Sequence, residues 1–147
     1  MAKQQRTMAG GPTGLSFNHA LIYSRNLGPA LRFYRGRLGF TVIDQMSHGG
    51  RIVYVRMKAS RGTGTLALHL LEPGKELPRG GGVRLYFEVK ELEKFCARLR
   101  AAGLNFSQLP KMMPWGWKHA YVDDPDGNEV SLYWAGSKRF QKSTMTP

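Results

Sequence analysis

The sequence predicts an α+β fold of two tandem βαβββ modules, forming a curved, partly open mixed sheet around a cavity with the helices on the outside. Three observations carry this prediction: the order strand, helix, three strands occurs twice; the two halves align at an offset of 65 residues; and a Pro/Gly-rich stretch, Glu72 to Gly82, separates them. Each sheet must bury one face against its helix, which leaves the other face to enclose something.

The first module opens at Phe17 to Ser24, where residues alternate with the period of a half-buried strand. Leu27, Leu31, Tyr34 and Leu38 then recur at helical spacing, and Gly39 ends the helix. Phe40 to Met46 and Arg51 to Met57 read as strands joined by Ser47-His48-Gly49-Gly50, and Thr65 to Leu71 is the fourth strand. In the second half Val83 to Val89 is a strand, and Leu92, Phe95, Cys96, Leu99 and Ala102 line one face of a helix that stops at Gly103. A short extended segment near Phe106 to Leu109 follows, then strands at Trp117 to Asp123 and Glu129 to Trp134. The offset of 65 carries Asn26-Leu27 onto Glu91-Leu92 and His19 onto Arg84, while 64 near the module ends carries Ala67 onto Ser131. Two copies of one unit imply a pseudo-twofold.

A length of 147 residues suits one domain, placed at 15–135 with modules at about 15–72 and 82–135. Residues 1–14 and 136–147 lack periodicity and read as flexible basic tails. One cysteine, Cys96, excludes an internal disulfide framework and makes a reducing cytoplasm the expected location. No apolar run approaches the ~20 residues of a spanning helix, and no secretory leader is visible, so neither membrane insertion nor export is expected. The net charge of +12 suggests a polyanion partner at first sight. Without a helix-turn-helix signature, zinc-finger spacing or paired-aromatic RNA motif it reads as a solvated basic face, and no nucleic-acid partner is expected.

The run Asn26-Leu27-Gly28-Pro29-Ala30-Leu31-Arg32-Phe33-Tyr34, the following Leu38-Gly39-Phe40, and Asp124-Pro125-Asp126-Gly127-Asn128 before the last strand resemble the vicinal oxygen chelate superfamily. That group contains glyoxalase I, extradiol dioxygenases and bleomycin-resistance proteins. The resemblance covers about residues 15–135 and implies a divalent metal between the modules, held by His or Glu from the first and last strand of each. Carried over, those positions are His19, Ala67, Arg84 and Ser131, of which His19 alone is a metal ligand. A shifted set of His19, His69 and Glu129 is the alternative, of a type that suits zinc, nickel, iron or manganese. A two-residue step along a strand is roughly 6.6 Å, so such a site has to be rebuilt rather than slid.

Two functions follow from the resemblance. One is an enzyme of lyase, isomerase or dioxygenase type, with His19 and Glu129 as acid-base groups and Arg84 holding an anionic or oxygenated metabolite. The other is a ligand-sequestering protein without turnover. The strand alternation puts Tyr23 beside His19, Tyr86 beside Arg84, and Trp117 and Tyr121 beside His119, so these aromatics and Ser131 are candidate ligand contacts. His119 itself is expected to be exposed on an edge strand, with a cavity group as the alternative, His48 solvated in its turn, and Cys96 a buried hydrophobe. Met112, Met113, Trp115 and Trp117 form an apolar cluster that suits core packing, a subunit contact or a lid. Arg84 in the cavity and the basic balance favour an anionic or aromatic ligand over a cationic one. The family's habits imply a homodimer.

Overall fold

The computed structural model describes residues 14, 17–77 and 83–136. The two expected tails lie almost wholly outside these residues. Strand β1 is His19–Ser24, helix α1 is Leu27–Leu31, and strands β2, β3 and β4 are Thr41–His48, Arg51–Lys58 and Thr65–Leu70. The second module repeats the order with β5 at Arg84–Glu88, α2 at Leu92–Ala101, and β6, β7 and β8 at Phe106–Met112, Lys118–Asp123 and Glu129–Trp134. The strands form two four-stranded mixed sheets, ordered β1-β4-β3-β2 and β5-β8-β7-β6. In both, the first strand pairs in parallel with the last, so the duplication seen in sequence is a duplication of topology.

Two local departures from the expected elements have clear causes. The predicted helix from Leu27 to Leu38 is α-helical to Leu31 and then widens into a π-helical turn, Arg32–Arg37, closed by the Leu38 N–H donating to the Phe33 carbonyl at 3.0 Å. Gly36 lies in that turn and gives the α-form little preference to overcome. The widened turn lets consecutive Phe33 and Tyr34 both enter the core. Strand β6 runs to Met112, well beyond the short segment read from sequence. Pro110 interrupts its alternation, and the pairing steps from Gln108–Tyr121 to Lys111–His119 across a bulge there.

One apolar core draws on both modules: Ile22, Leu27, Phe33 and Leu68 from the first, Leu92, Val122 and Leu132 from the second. Phe40 meets Phe87 edge to face across the boundary, with ring centroids 5.2 Å apart. The polar seam is the Asp124 to Asn128 turn. Asp124 Oδ1 accepts the backbone N–H groups of Asp126 (2.9 Å) and Asn128 (2.8 Å), which shapes the turn around Gly127 at φ +85°. Its Oδ2 accepts the hydroxyl of Tyr34 at 2.6 Å, inside the core. Asp126 in turn accepts from Ser24 Oγ (2.6 Å) and from the Arg25 N–H (2.9 Å) at the end of β1. The turn is therefore a clamp on the first module as well as a hairpin of the second.

Burial, reinforced by the neighbouring Asp124 carboxylate, raises the Tyr34 phenol far above its ordinary value, so it is a permanent O–H donor. A hydrogen bond to a charged group contributes about 1.5–3 kcal/mol. Tyr34→Phe is expected to lower unfolding free energy by about that amount in urea titration with an unchanged slope; a loss under about 0.5 kcal/mol would show that the clamp carries little.

Candidate functional site

Alternation divides each sheet into a core face and an open face. On the first sheet Leu66 and Leu68 enter the core, which leaves Ala67 and His69 of β4, with His19, Leu21 and Tyr23 of β1, on the other side. His19 Nδ1 meets the side-chain oxygen of Asn18, which also accepts from Arg56 Nη1 at 3.1 Å. His69 pairs in register with Tyr23, whereas His19 pairs with Thr65, four residues back along the same strand. At the rise of a strand the two histidines are separated by roughly 13 Å. Tyr23 stands edge-on to His69, at 5.7 Å between ring centroids.

On the second sheet the open face is a set of rows set by register: Arg84 beside Glu129, Tyr86 beside Ser131 and Tyr121, and His119 beside Tyr133. The Arg84 guanidinium pairs with Glu129 at 2.7 Å, donates to the Tyr86 hydroxyl at 3.4 Å and lies 4.8 Å over the Tyr121 ring. The Tyr86 hydrogen bond, more than the nearby Glu129 carboxylate, raises its basicity further. Beyond it the face becomes aromatic. Trp117 stacks on Tyr133 with centroids 5.1 Å apart and planes within 10°. His119 lies nearly parallel to Tyr133 at 5.6 Å, and Trp115 and Tyr86 meet it edge-on at 5.6 and 6.0 Å. Tyr86, Trp115, Trp117, His119 and Tyr133 line an open cavity of about 340 Å³. Burial raises the Tyr133 phenol above its ordinary value.

His119 is the centre of this cluster: it is the cavity group of the two alternatives, and the expectation of exposure on an edge strand is corrected. It is 3% exposed and sits on β7, which β6 and β8 flank on both sides. The lengthened β6 is what turns β7 into an interior strand, and the tryptophans cover what remains. Its Nδ1 lies 2.8 Å from Ser131 Oγ, and its Nε2 is buried without a hydrogen-bond partner. Burial, then the Arg84 charge, hold its pKa below the ordinary histidine value.

A wider groove of about 520 Å³ lies where α1 meets β6 and β7, lined by Arg32, Arg37, Asp123 and Asp124 among others, but neither unpartnered buried atom of the described residues faces it. Cys96 is buried, and burial pushes its thiol up to about 11, so it packs rather than reacts. His48 is exposed next to its hairpin turn.

The Glyoxalase/Bleomycin resistance protein/Dioxygenase superfamily model matches residues 16–132. The chain belongs to that superfamily. Among solved structures it is similar to a superfamily member from Sphaerobacter thermophilus DSM 20745, at 26% identity and a TM-score of 0.65 over 82% of this chain and 98% of that one. It is also similar to TnmS3, an antibiotic binding protein from Streptomyces sp. CB03234, at 23% identity and TM-score 0.68 over 84% and 98% of the two chains. A glyoxalase/bleomycin resistance protein/dioxygenase from Nocardioides gives 20% identity and TM-score 0.69 over 97% and 100%. Comparison with the curated proteins gives no match.

The superfamily's divalent metal does not fit the donor set present. At the four carried-over positions Ala67 offers no ligand atom, Ser131 is fully buried and engaged with His119, and Arg84 brings a cation tied to Glu129. The shifted set is not assembled either: His19 and His69 stand roughly 13 Å apart along the first sheet. Among the described residues no three His, Cys, Asp or Glu side chains are grouped to hold a metal ion. Of the expected ligand contacts, Arg84, Tyr86, Tyr121, Ser131 and Trp117 share the second sheet's face, and Tyr23 lies on the first. Tyr133 was not anticipated, although its spacing of two from Ser131 puts it on the same face.

Because Arg84 contributes to the low basicity of His119, Arg84→Ala is expected to raise the His119 pKa toward the ordinary ~6.5 without reaching it, since burial persists. Titration of the ring resonances by NMR checks this. Protonation of His119 in the unfolded chain precedes that in the fold, so its contribution to stability falls as pH drops below about 6.5 and levels off below the folded value. Arg84→Ala should narrow that window; an unmoved His119 pKa would show that burial alone sets it.

Proposed function

We propose that the protein binds a flat aromatic small molecule on the open face of the second sheet and holds it without chemical turnover. The observation that carries this reading is the near-parallel array of Trp117, Tyr133 and His119 beside an open cavity of about 340 Å³. Such an array presents a predominantly aromatic surface beside the cavity, which suits a flat apolar ring system. The likeness to TnmS3, described as an antibiotic binding protein, supports a binding role. A net charge of +12 disfavours a cationic ligand, so the bound molecule is neutral or anionic.

The enzymatic reading, with His19 and Glu129 as acid and base, has less support. Glu129 is already engaged by Arg84, and His19 by the side chain of Asn18. An anion on Arg84 is the part of that reading that the site can accommodate, at the cost of opening the Arg84–Glu129 pair. That pair is partly exposed and contributes about 0–1 kcal/mol, so a carboxylate or phosphate can displace Glu129. A homodimer belongs to the same proposal: Leu21, Tyr23 and Tyr86 stand exposed on the open faces, where a second subunit would cover them.

Titration of intrinsic tryptophan fluorescence with fluorene, against its fully saturated analogue, tests the aromatic site. Fluorene is expected to bind and to quench Trp115 and Trp117, with the saturated ring system bound at least about tenfold more weakly. Trp117→Ala and Tyr133→Ala should each weaken fluorene by about tenfold. Equal affinities for the flat and the saturated molecule would sink the proposal, as would turnover of a metabolite that depends on His19 and Glu129.

A further inference from the structure

The aromatic cavity contains one buried polar atom that no protein group satisfies. His119 is 97% buried, and its Nε2 has no partner among the described residues. An unsatisfied buried donor or acceptor is costly, and in native structures such atoms usually await a water, an ion or a ligand. The partner of the other ring nitrogen decides what Nε2 offers. Ser131 Oγ is fully buried, and His119 Nδ1 at 2.8 Å is within reach of its proton. If Nδ1–H donated to Oγ, the serine hydroxyl hydrogen would be stranded in the core as well. If Ser131 donates to Nδ1, that hydrogen is satisfied and the ring proton sits on Nε2. Satisfying the serine therefore makes Nε2–H a donor.

We propose that His119 Nε2–H is the specificity-determining donor of the aromatic cavity, taking a carbonyl or other acceptor oxygen carried at the edge of a flat aromatic ligand. The inference rests on the aromatic-binding reading above and adds to it the chemical class of the ligand: ring systems with an in-plane oxygen acceptor rather than bare hydrocarbons. Its low basicity keeps the ring neutral near pH 7, so the donor is a hydrogen-bond group and not a charge. Ring faces and edges enclose Nε2, and one of them must shift for a ligand to reach it. Tyr86, Tyr121 and Tyr133 are held on paired strands. Trp115 and Trp117 lie on the turn between β6 and β7, outside both strands, so a ligand reaches Nε2 only by displacing one of these two rings.

The test compares 9-fluorenone with fluorene, which share one ring system and differ in a single carbonyl oxygen. Wild-type protein is expected to bind fluorenone several-fold to about tenfold more tightly, the effect of one neutral hydrogen bond. His119→Phe, which keeps a ring in the stack and removes the donor, should abolish that preference, so that the ratio of fluorenone to fluorene affinity in the variant falls to about one. Equal binding of the two molecules by wild type overturns this inference and leaves the aromatic site standing, whereas binding of neither overturns both. A preference that survives in His119→Phe also overturns it. Should the phenylalanine variant fail to fold, long-range proton–nitrogen NMR of the wild-type ring decides. The expected spectrum has a protonated Nε2 and an unprotonated Nδ1, with Nε2 shifting on fluorenone and not on fluorene. A ring protonated on Nδ1, or an Nε2 signal indifferent to fluorenone, refutes the donor.

Discussion

The fold depends on how one buried carboxylate is satisfied. Asp124 occupies the boundary between the modules and takes hydrogen bonds from two backbone N–H groups of its own turn, from Asn128 and from the Tyr34 hydroxyl. A buried charge is tolerable only when it is paired or fully hydrogen-bonded. Here the required donors come from both modules, so the modules must meet in one relative position for the carboxylate to be solvated. The Phe40–Phe87 contact and the shared apolar core supply the driving force for docking, and Asp124 and Asp126 supply its specificity.

With the core faces so docked, the two open faces are left with different chemistries. The first carries His19, Arg56 and His69 among apolar side chains. On the second, one end is an ion pair stacked on a tyrosine and the other is an aromatic basin around His119. A scaffold that elsewhere in its superfamily surrounds a metal with carboxylates and imidazoles here presents ring faces instead. The substitution is coherent across the site: Arg84 engages Glu129, Ser131 is turned toward an imidazole, and Ala67 leaves a position with no donor.

Much of the architecture was legible in the sequence because it is written in local periodicity. The alternation of β1 and β5, the apolar stripe of α2 and the Asp124-Pro125-Asp126-Gly127-Asn128 turn all have short-range signatures, and the offset of 65 exposed the duplication. The face on which Arg84, Tyr86 and Ser131 lie was legible for the same reason. Alternation alone left His119 open between a cavity group and an exposed edge residue, because its burial depends on β6, whose alternation Pro110 obscures and whose length is set by pairing with a distant strand. The clamp made by Asp126 on Ser24 was hidden too, since nothing local marks a contact between residues 102 positions apart. The π-helical turn in place of a uniform helix is a response to core packing that side-chain spacing does not encode.

The parallel pairing of each module's first strand with its last has a consequence for how the chain acquires its structure. β1 has no sheet partner until β4 exists, and β5 has none until β8 exists. During synthesis the leading strand of each half must wait, unpaired, for the trailing one to leave the ribosome. Contacts of such sequence separation slow the search for the native state, because chain closure has to come before any reward from pairing. The antiparallel hairpins β2–β3 and β6–β7 close locally and can form early, so they are the natural nuclei onto which the waiting strands are added.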